Sequence, residues 1–139
     1  METAKKLTFL IVDDEAFIRS ATKRVIINEL KNLNECIDLT IVEAGDGIEC
    51  LLALYLYNKN NIKFDAVISD ETMPYISGSY LSKIVYELVS KGPMNEIKMF
   101  ISTSLVDANI NNYSKIIKKI YVKPIDKSSV KDLLKVIAN

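Results

Sequence analysis

The chain has 139 residues, with 18 Lys and Arg, 18 Asp and Glu, two Cys and no His. This length, with 49% hydrophobic and 26% charged residues, predicts one globular domain with its own core. The missing histidine excludes a Ser-His-Asp or Cys-His pair and a His-ligated zinc site, and any phosphohistidine has to belong to a partner. Balanced charge argues against broad attraction to nucleic acid or membrane surfaces.

The two cysteines, Cys36 and Cys50, are too few for a disulfide framework or a zinc site. The first residues lack the pattern of a signal peptide, and no run approaches the roughly 20 apolar residues that a membrane span needs. We therefore expect a cytoplasmic protein with no membrane insertion and no direct contact with nucleic acid.

Short apolar runs alternate with segments of helical period along the chain. The runs predict strands over residues 7–12, 39–44, 64–69, 97–102 and 120–122. The periodic segments predict helices over residues 15–31, 47–58, 81–88 and 130–137. Units of this length imply a parallel sheet with helices on both faces and right-handed crossovers.

Two of these segments carry a more specific expectation. Ile48, Leu51, Leu52 and Tyr55 recur at helical spacing, so we expect them to form the buried stripe of the second helix. Residues 105–117 contain three Asn, a poor helix former, and predict only a short or irregular helix between the fourth and fifth strands.

The chemistry-bearing residues fall just after the predicted strands. Functional residues of an open parallel sheet gather beyond the carboxyl ends of its strands. Three carboxylates, a group of hydroxyls and one ammonium follow successive strands there: Asp13 and Asp14, then Asp70, then Ser102 to Ser104, then Lys123.

Carboxylates that crowd together repel one another unless a cation neutralises them. Ligation by oxygen alone suits Mg²⁺ rather than zinc, with Mn²⁺ as the substitute. A lysine and a hydroxyl beside such a cluster are what a transferred phosphoryl group requires. The residues therefore indicate phosphoryl transfer onto an aspartate.

The same residues carry a resemblance to a known family. The chain resembles, over nearly its whole length, the receiver domain of two-component response regulators (the CheY-like superfamily). The matching elements are Val12-Asp-Asp-Glu15, Glu43-Ala-Gly-Asp-Gly47, Asp70-Glu-Thr-Met-Pro74 with Gly78, a hydroxyl after the fourth strand, and Lys123-Pro124. Each motif alone is weak, but their order along the chain makes the set specific.

The resemblance implies a flavodoxin-like (βα)₅ fold, a three-layer αβα arrangement with strand order 2-1-3-4-5. It implies that Asp70 accepts a phosphoryl group from a phosphohistidine, and that Lys123 pairs with the phosphoryl oxygens. It further implies that Mg²⁺ is held by Asp13, Asp14, Asp70 and the backbone carbonyl of Thr72. Ser102 resembles the switch hydroxyl that moves toward the phosphate, with Thr103 as the alternative one residue later.

Two positions depart from the family pattern. The residue after the acceptor is usually apolar, and Glu71 would place an extra negative charge near the mouth of the pocket. The aromatic partner of the switch hydroxyl usually stands three residues before the lysine, where this chain has Ile120, with Tyr121 one place later. This puts the usual aromatic switch in doubt.

The implied function is a phosphorylation-controlled switch, not a conventional enzyme, although the domain catalyses its own phosphorylation and dephosphorylation. The implied partners are a histidine kinase or a histidine phosphotransfer protein. The resemblance also allows a dimer that forms on phosphorylation. The surface of the fourth helix, fifth strand and fifth helix would carry the signal. We expect residues 1–139 to form a single receiver domain with no output domain.

Other readings remain for these residues. The chain could be a receiver fold that binds partners without phosphorylation, or a Mg²⁺-dependent phosphohydrolase with an aspartyl-phosphate intermediate. The second class generally needs a carboxylate two residues after the nucleophile, where this chain has Thr72. Asp13 and Asp14 could also simply cap the first helix.

Overall fold

A computed structural model describes residues 3–105 and 108–139 of the chain. Its strands are β1 (Lys5–Val12), β2 (Ile37–Ala44), β3 (Ala66–Asp70), β4 (Met99–Thr103) and β5 (Ile117–Val122). Its α-helices are α1 (Ala16–Lys31), α2 (Gly47–Lys59), α3 (Gly78–Lys91) and α4 (Lys127–Ala138). The strands form one parallel sheet in the order β2-β1-β3-β4-β5, which confirms the expected fold and strand order.

The sheet separates two hydrophobic clusters because successive strand side chains point to opposite faces. On one face, Leu10, Val67 and Met99 pack with residues of α2 and α3. On the other face, Phe9, Ile68 and Phe100 pack with residues of α1 and α4. The strands are nearly continuous apolar runs because helices cover both faces of the sheet.

Polar side chains fix the starts of three helices. Asp46 accepts a hydrogen bond from the backbone N–H of Glu49, and Ser77 accepts one from that of Tyr80. Asp126 accepts one from the backbone N–H of Ser129 at 2.8 Å. Each bond satisfies a backbone donor that the first turn leaves without a partner.

The expected buried stripe of α2 is wrong. Of the four expected residues, Ile48, Leu52 and Tyr55 are exposed, and Leu51 packs half-buried against the core. The buried residues of the helix are Gly47, Cys50 and Leu54. The α2 sequence is apolar around most of its circumference, so more than one stripe matches helical spacing. Packing against the sheet, rather than periodicity, selects the buried one.

The segment between β4 and β5 is short and irregular, as expected. Its described residues contain a three-residue 3₁₀-helix, Ile110–Asn112, and residues 106 and 107 lie outside the described part of the chain. The element expected as the fourth helix is therefore this 3₁₀-helix, and the expected fifth helix is α4. In the described part of the chain no helix is long and apolar enough to span a membrane.

One long-range contact closes the end of the last helix. Lys98, just before β4, donates hydrogen bonds to the carbonyl oxygens of Val136 and Ile137 at 3.2 and 3.3 Å. These carbonyls belong to the last turn of α4, where the helical N–H donors run out; that of Val136 also accepts a hydrogen bond from the backbone N–H of Asn139 at 3.3 Å. A cation is also favourable there because the helix dipole is negative at this end.

We predict that Lys98→Met lowers the free energy of unfolding by about 1–2 kcal/mol, since two charge-assisted hydrogen bonds are lost while the stem still packs. Urea unfolding followed by circular dichroism measures the change. Lys91→Met is the control, because Lys91 makes only an exposed ion pair with Glu87 on its own helix. Equal effects of the two substitutions would contradict the assignment.

Candidate functional site

The sheet register brings the predicted site residues to one edge. Val12 pairs with Ser69, so that Asp13, which follows β1, and Asp70, the last residue of β3, lie side by side. Asp70 in turn pairs with Ser102 on β4. Laterally paired residues of a parallel sheet point to the same face, here the face covered by α1 and α4.

Three carboxylates converge at this edge. Asp13, Asp14 and Asp70 each place a carboxylate oxygen within 4.8 Å of the others. Asp13 is 3% exposed and Asp70 is 8% exposed, whereas Asp14 faces solvent. The donors are all oxygen and one side is open to water, so the set fits a hard divalent cation that keeps water ligands, such as Mg²⁺.

Lys123 neutralises part of this negative charge. Its Nζ lies 2.7 Å from Asp13 Oδ2 and 3.2 Å from Asp70 Oδ1. The backbone N–H of Lys123 donates a hydrogen bond to the carbonyl oxygen of Thr103 at 2.8 Å, and this bond holds the end of β5 against β4. The ammonium therefore lies between the two buried carboxylates.

Burial and neighbouring charges shift the pKa values of Asp70 and Lys123. Burial raises the pKa of Asp70, the charge of Lys123 opposes this shift, and the charge of Asp13 adds to it. For Lys123, burial favours a lower pKa, but the hydrogen bond to Asp13 and the charges of Asp70 and Asp13 outweigh it and raise the pKa. The lysine is therefore protonated at neutral pH.

Ser102 and Thr103 lie on different faces of β4. Ser102 is buried on the face of Asp70, its register partner. Thr103, next along the strand, points to the other face, where its hydroxyl accepts a hydrogen bond from the N–H of Leu105 at 3.1 Å. Of the two hydroxyls, Ser102 is therefore the one on the acidic side of the sheet.

The loop after β3 turns back tightly onto the strand. The N–H of Gly78 donates to the carbonyl oxygen of Glu71 at 2.8 Å, which joins the two ends of the loop. A β-carbon at Gly78 would overlap with the backbone carbonyl oxygen of Asp70. Thr72 lies exposed in this loop, two residues after Asp70.

Glu71 is turned toward α3. Its Oε1 accepts a hydrogen bond from the N–H of Ser79 at 2.6 Å, where the helix dipole favours negative charge. Tyr113, from the segment between β4 and β5, faces the same carboxylate; burial and the neighbouring Glu71 raise its pKa to about 12. Glu71 therefore links the loop after β3 to α3 and to this segment.

The aromatic residue of β5 faces the α1 and α4 side of the sheet. Tyr121 is the register partner of Ser102, and its ring stacks on Phe100 with centroids 6.1 Å apart. Its hydroxyl donates to Asp132 on α4 at 2.8 Å. Ile120, at the usual aromatic position, packs against the opposite cluster. The usual aromatic position thus holds Ile120, and the aromatic residue of β5 is Tyr121, which is hydrogen-bonded to α4.

Arg19 is a contributor that the sequence analysis missed. Its guanidinium donates to the backbone carbonyl oxygen of Asp13 at 2.6 Å and pairs with Glu43, near the end of β2, at 3.1 Å. The arginine thereby braces the backbone between Asp13 and Asp14. The sequence offered one indication of this role. Arg19 is one of two arginines among 18 basic residues, and it lies five positions after Asp14.

No protein-family model and no curated protein matches the sequence. The structure is similar to a two-component response regulator from Cytophaga hutchinsonii (TM-score 0.76, 17% identity, 99% of each chain covered). It is similar to one from Legionella pneumophila (TM-score 0.74, 20% identity, 95% of this chain and 98% of the other). It is also similar to the response regulator protein TrrA from Thermotoga maritima in complex with Mg²⁺-BeF (TM-score 0.72, 23% identity, 94% and 98% covered).

The chain therefore has the fold of response regulator receiver domains, as its motifs predicted. At identities below 25% this likeness establishes the architecture. The chemistry has to be argued from the side chains at the carboxyl edge of the sheet.

We predict that Asp70→Asn raises the melting temperature at pH 7 in the absence of added divalent cations. The pKa of Asp70 is raised above 3.8 in the folded state, so its contribution to stability is present below that pH and is lost as the pH rises through the folded-state pKa. The gain over the unsubstituted protein should thus shrink toward acid pH. Asp38→Asn, at an exposed position on β2, should change little. A lower melting temperature for Asp70→Asn at pH 7 would contradict this.

We predict that Gly78→Ala is net destabilising by about 1–2 kcal/mol. The overlap with the Asp70 carbonyl should cost more than the ~1 kcal/mol that alanine gains over glycine inside a helix. Denaturant unfolding measures the difference. Gly45→Ala is the control, because an added methyl there meets only the ends of two long side chains, Glu49 and Arg19, rather than backbone, and it should cost less.

Proposed function

We propose that this chain is a phosphoacceptor receiver domain that takes a phosphoryl group from a partner phosphohistidine onto Asp70. The observation that carries the proposal is the convergence of Asp13, Asp14 and Asp70 around the Lys123 ammonium, at the carboxyl edge of a receiver fold. The similar structures are named as response regulators, one of them in complex with Mg²⁺-BeF, which supports a role in two-component signalling.

The transfer is a displacement at phosphorus. A carboxylate oxygen of Asp70 forms the new O–P bond, the N–P bond to the donor imidazole breaks, and its electron pair returns to the imidazole nitrogen. Lys123, already beside Asp70, neutralises the oxygens of the group in transfer and needs no reorganisation to do so.

A divalent cation completes this arrangement. Mg²⁺ would be held by Asp13, Asp14, Asp70 and the backbone carbonyl of Thr72, and would supply charge neutralisation to the phosphoryl oxygens. Arg19 and the N–H of Glu15, which donates to Asp13 Oδ1 at 2.9 Å, keep Asp13 oriented toward the site. Asp14 faces solvent, and its carboxylate already lies within 4.8 Å of the other two.

The phosphorylated state would be read through Ser102 and the β4–β5 segment. The Ser102 hydroxyl, on the face of Asp70, moves to donate a hydrogen bond to the new phosphoryl group. The segment that follows β4 is tied to α3, because the hydroxyl of Ser114 donates to the Ser82 carbonyl at 2.7 Å. The responding surface comprises the 3₁₀-helix, β5 and α4. Its active conformation is already sampled without phosphorylation, and phosphorylation increases the population of that conformation.

We predict that acetyl phosphate with Mg²⁺ adds one phosphoryl group to the chain and that Asp70→Asn abolishes the addition, because the nucleophile is removed. Intact-protein mass spectrometry measures the label. Asp38→Asn, an acid-to-amide change at an exposed site, is the matched control and should be labelled like the unsubstituted protein. Equal labelling of Asp70→Asn would refute the acceptor assignment.

We predict that Asp13→Asn weakens Mg²⁺ binding by at least about tenfold, since loss of even an outer partner of a metal site has effects of this size. Calorimetric titration measures the affinity, with Asp38→Asn again as the control. No saturable Mg²⁺ binding by the unsubstituted protein would instead favour a receiver fold that binds partners without phosphorylation.

A further inference from the structure

The outward face of α2 is apolar over most of the helix. Ile48, Leu52, Tyr55 and Leu56 are between 44% and 58% exposed. These residues recur at helical spacing, so they form one continuous stripe about 12 Å long, which we call the α2 stripe. A helix that is apolar around its whole circumference is normally buried on all sides. The α2 stripe therefore has the composition of a surface that another molecule covers.

The exposed face of α4 shows the usual alternative. Its exposed residues are Lys127, Ser128, Lys131, Lys135 and Ala138. On α2 the exposed residues other than the stripe are Glu49, in the first turn, and Lys59, at the last position of the helix. The α2 stripe thus carries no charge of its own and has one charge of each sign near its two ends.

An apolar groove continues the α2 stripe toward α3. The groove has a volume of about 300 Å³, and its lining includes Leu51, Tyr55, Leu88, Pro93 and Met94. Tyr55 belongs to both the groove and the stripe. The surface therefore has relief that the side chains of a partner can fill, which a flat patch would lack.

The area of this surface suits a small specific interface. At about 200 Å² for a large side chain, the exposed fractions of the four stripe residues amount to roughly 400 Å² per copy. Two copies joined over the stripe and the groove would bury on the order of 1,000 Å² in total, which is the lower limit for a specific interface. Such a contact supports a weak, concentration-dependent dimer.

We propose that the α2 stripe joins two copies of this chain in a symmetric antiparallel dimer that forms without phosphorylation. A two-fold axis brings the same surface of each copy together, so the surface has to complement itself. Antiparallel pairing centred at the level of Leu54 would place Leu52 opposite the partner's Leu56. The same centre would place Glu49 opposite the partner's Lys59. One register therefore satisfies the apolar and the charged contacts together.

Charge favours the antiparallel direction and a second copy as the occupant. Parallel pairing of α2 would bring the two Glu49 carboxylates together, and antiparallel pairing separates them. The Glu49 carboxylate accepts one hydrogen bond, from the N–H of Gly45 at 2.9 Å, and Lys59 forms no ion pair within the described residues. Antiparallel helices also place opposite ends of their dipoles side by side. The chain itself thus supplies both charges that the contact needs.

The α2 stripe lies apart from the surfaces assigned above. α2 packs with α3 on one face of the sheet, whereas α4 packs on the opposite face. β5 is the edge strand farthest from β2, the strand that precedes α2. A dimer through α2 would therefore leave the responding surface free in both copies, and its formation is independent of the proposed phosphoryl transfer.

Sedimentation velocity of the full chain, without Mg²⁺ or a phosphodonor, tests the proposal over roughly 1 to 200 μM, a range that suits an interface near the lower size limit. The weight-average sedimentation coefficient should rise with concentration toward that of a dimer. Leu52→Glu and Leu56→Lys should each weaken association about tenfold or more, because each places an unpaired charge in the apolar contact. An equimolar mixture of the two variants should associate more tightly than either alone, since the new carboxylate then faces the new ammonium.

A third variant leaves the apolar contact intact. Lys59→Glu should weaken association by repelling the partner's Glu49, and added salt should reduce this difference because the pair is exposed to solvent. Leu33→Glu is the matched control for the leucine variants, because Leu33 is also exposed but follows α1 on the other face of the sheet. It should associate like the unsubstituted protein. Circular dichroism melting verifies that each variant is folded.

The outcomes separate the parts of the proposal. A chain that stays monomeric at the highest concentration would overturn it, as would a loss of association in Leu33→Glu equal to that in Leu52→Glu. A mixture of Leu52→Glu and Leu56→Lys that associates no better than either variant would overturn the antiparallel register. Association seen only after treatment with acetyl phosphate and Mg²⁺ would overturn its independence from phosphorylation. Labelling by acetyl phosphate should be the same in Leu52→Glu and the unsubstituted protein, so the proposed function is tested separately.

Discussion

The ammonium of Lys123, 2.7 Å from Asp13 and 3.2 Å from Asp70, is the contact on which the rest of the site depends. Two largely buried carboxylates side by side repel each other, and burial alone already disfavours their charge. A fixed cation between them keeps them close enough to share a metal ion. The backbone N–H of Lys123 is hydrogen-bonded to the carbonyl oxygen of Thr103 on β4. The ammonium therefore reaches the two aspartates only when β5 lies beside β4.

The topology makes that contact possible. Lys123 and Asp13 are 110 residues apart in the chain, and they meet because every strand of a parallel sheet ends at the same edge. With β1 and β3 adjacent, Asp13 and Asp70 share a register position, and β4 adds Ser102 to the same row. The apolar clusters on the two faces hold this alignment. The core residues thus hold the strand ends in alignment and supply no side chain to the site.

Several features at this edge oppose stability. Like charges are concentrated there, a glycine stands inside the first turn of α3, and a tyrosine occupies a left-handed turn without burial. Away from the edge the same chain follows local rules, with continuous apolar strands packed on both faces of the sheet. Departures from local preference that gather at one place are typical of a site under functional constraint.

The sequence by itself determined the strands, the helices and the position of the acidic residues, because apolar runs and helical spacing are local properties and strand ends share an edge. It predicted the wrong stripe of α2, whose apolar residues surround the helix, and it missed the brace formed by Arg19. It also placed the charge of Glu71 near the mouth of the pocket, whereas the N–H of Ser79 holds that carboxylate toward α3. Only the tertiary structure settled these points, because the buried face and the direction of a long side chain depend on neighbours distant in sequence.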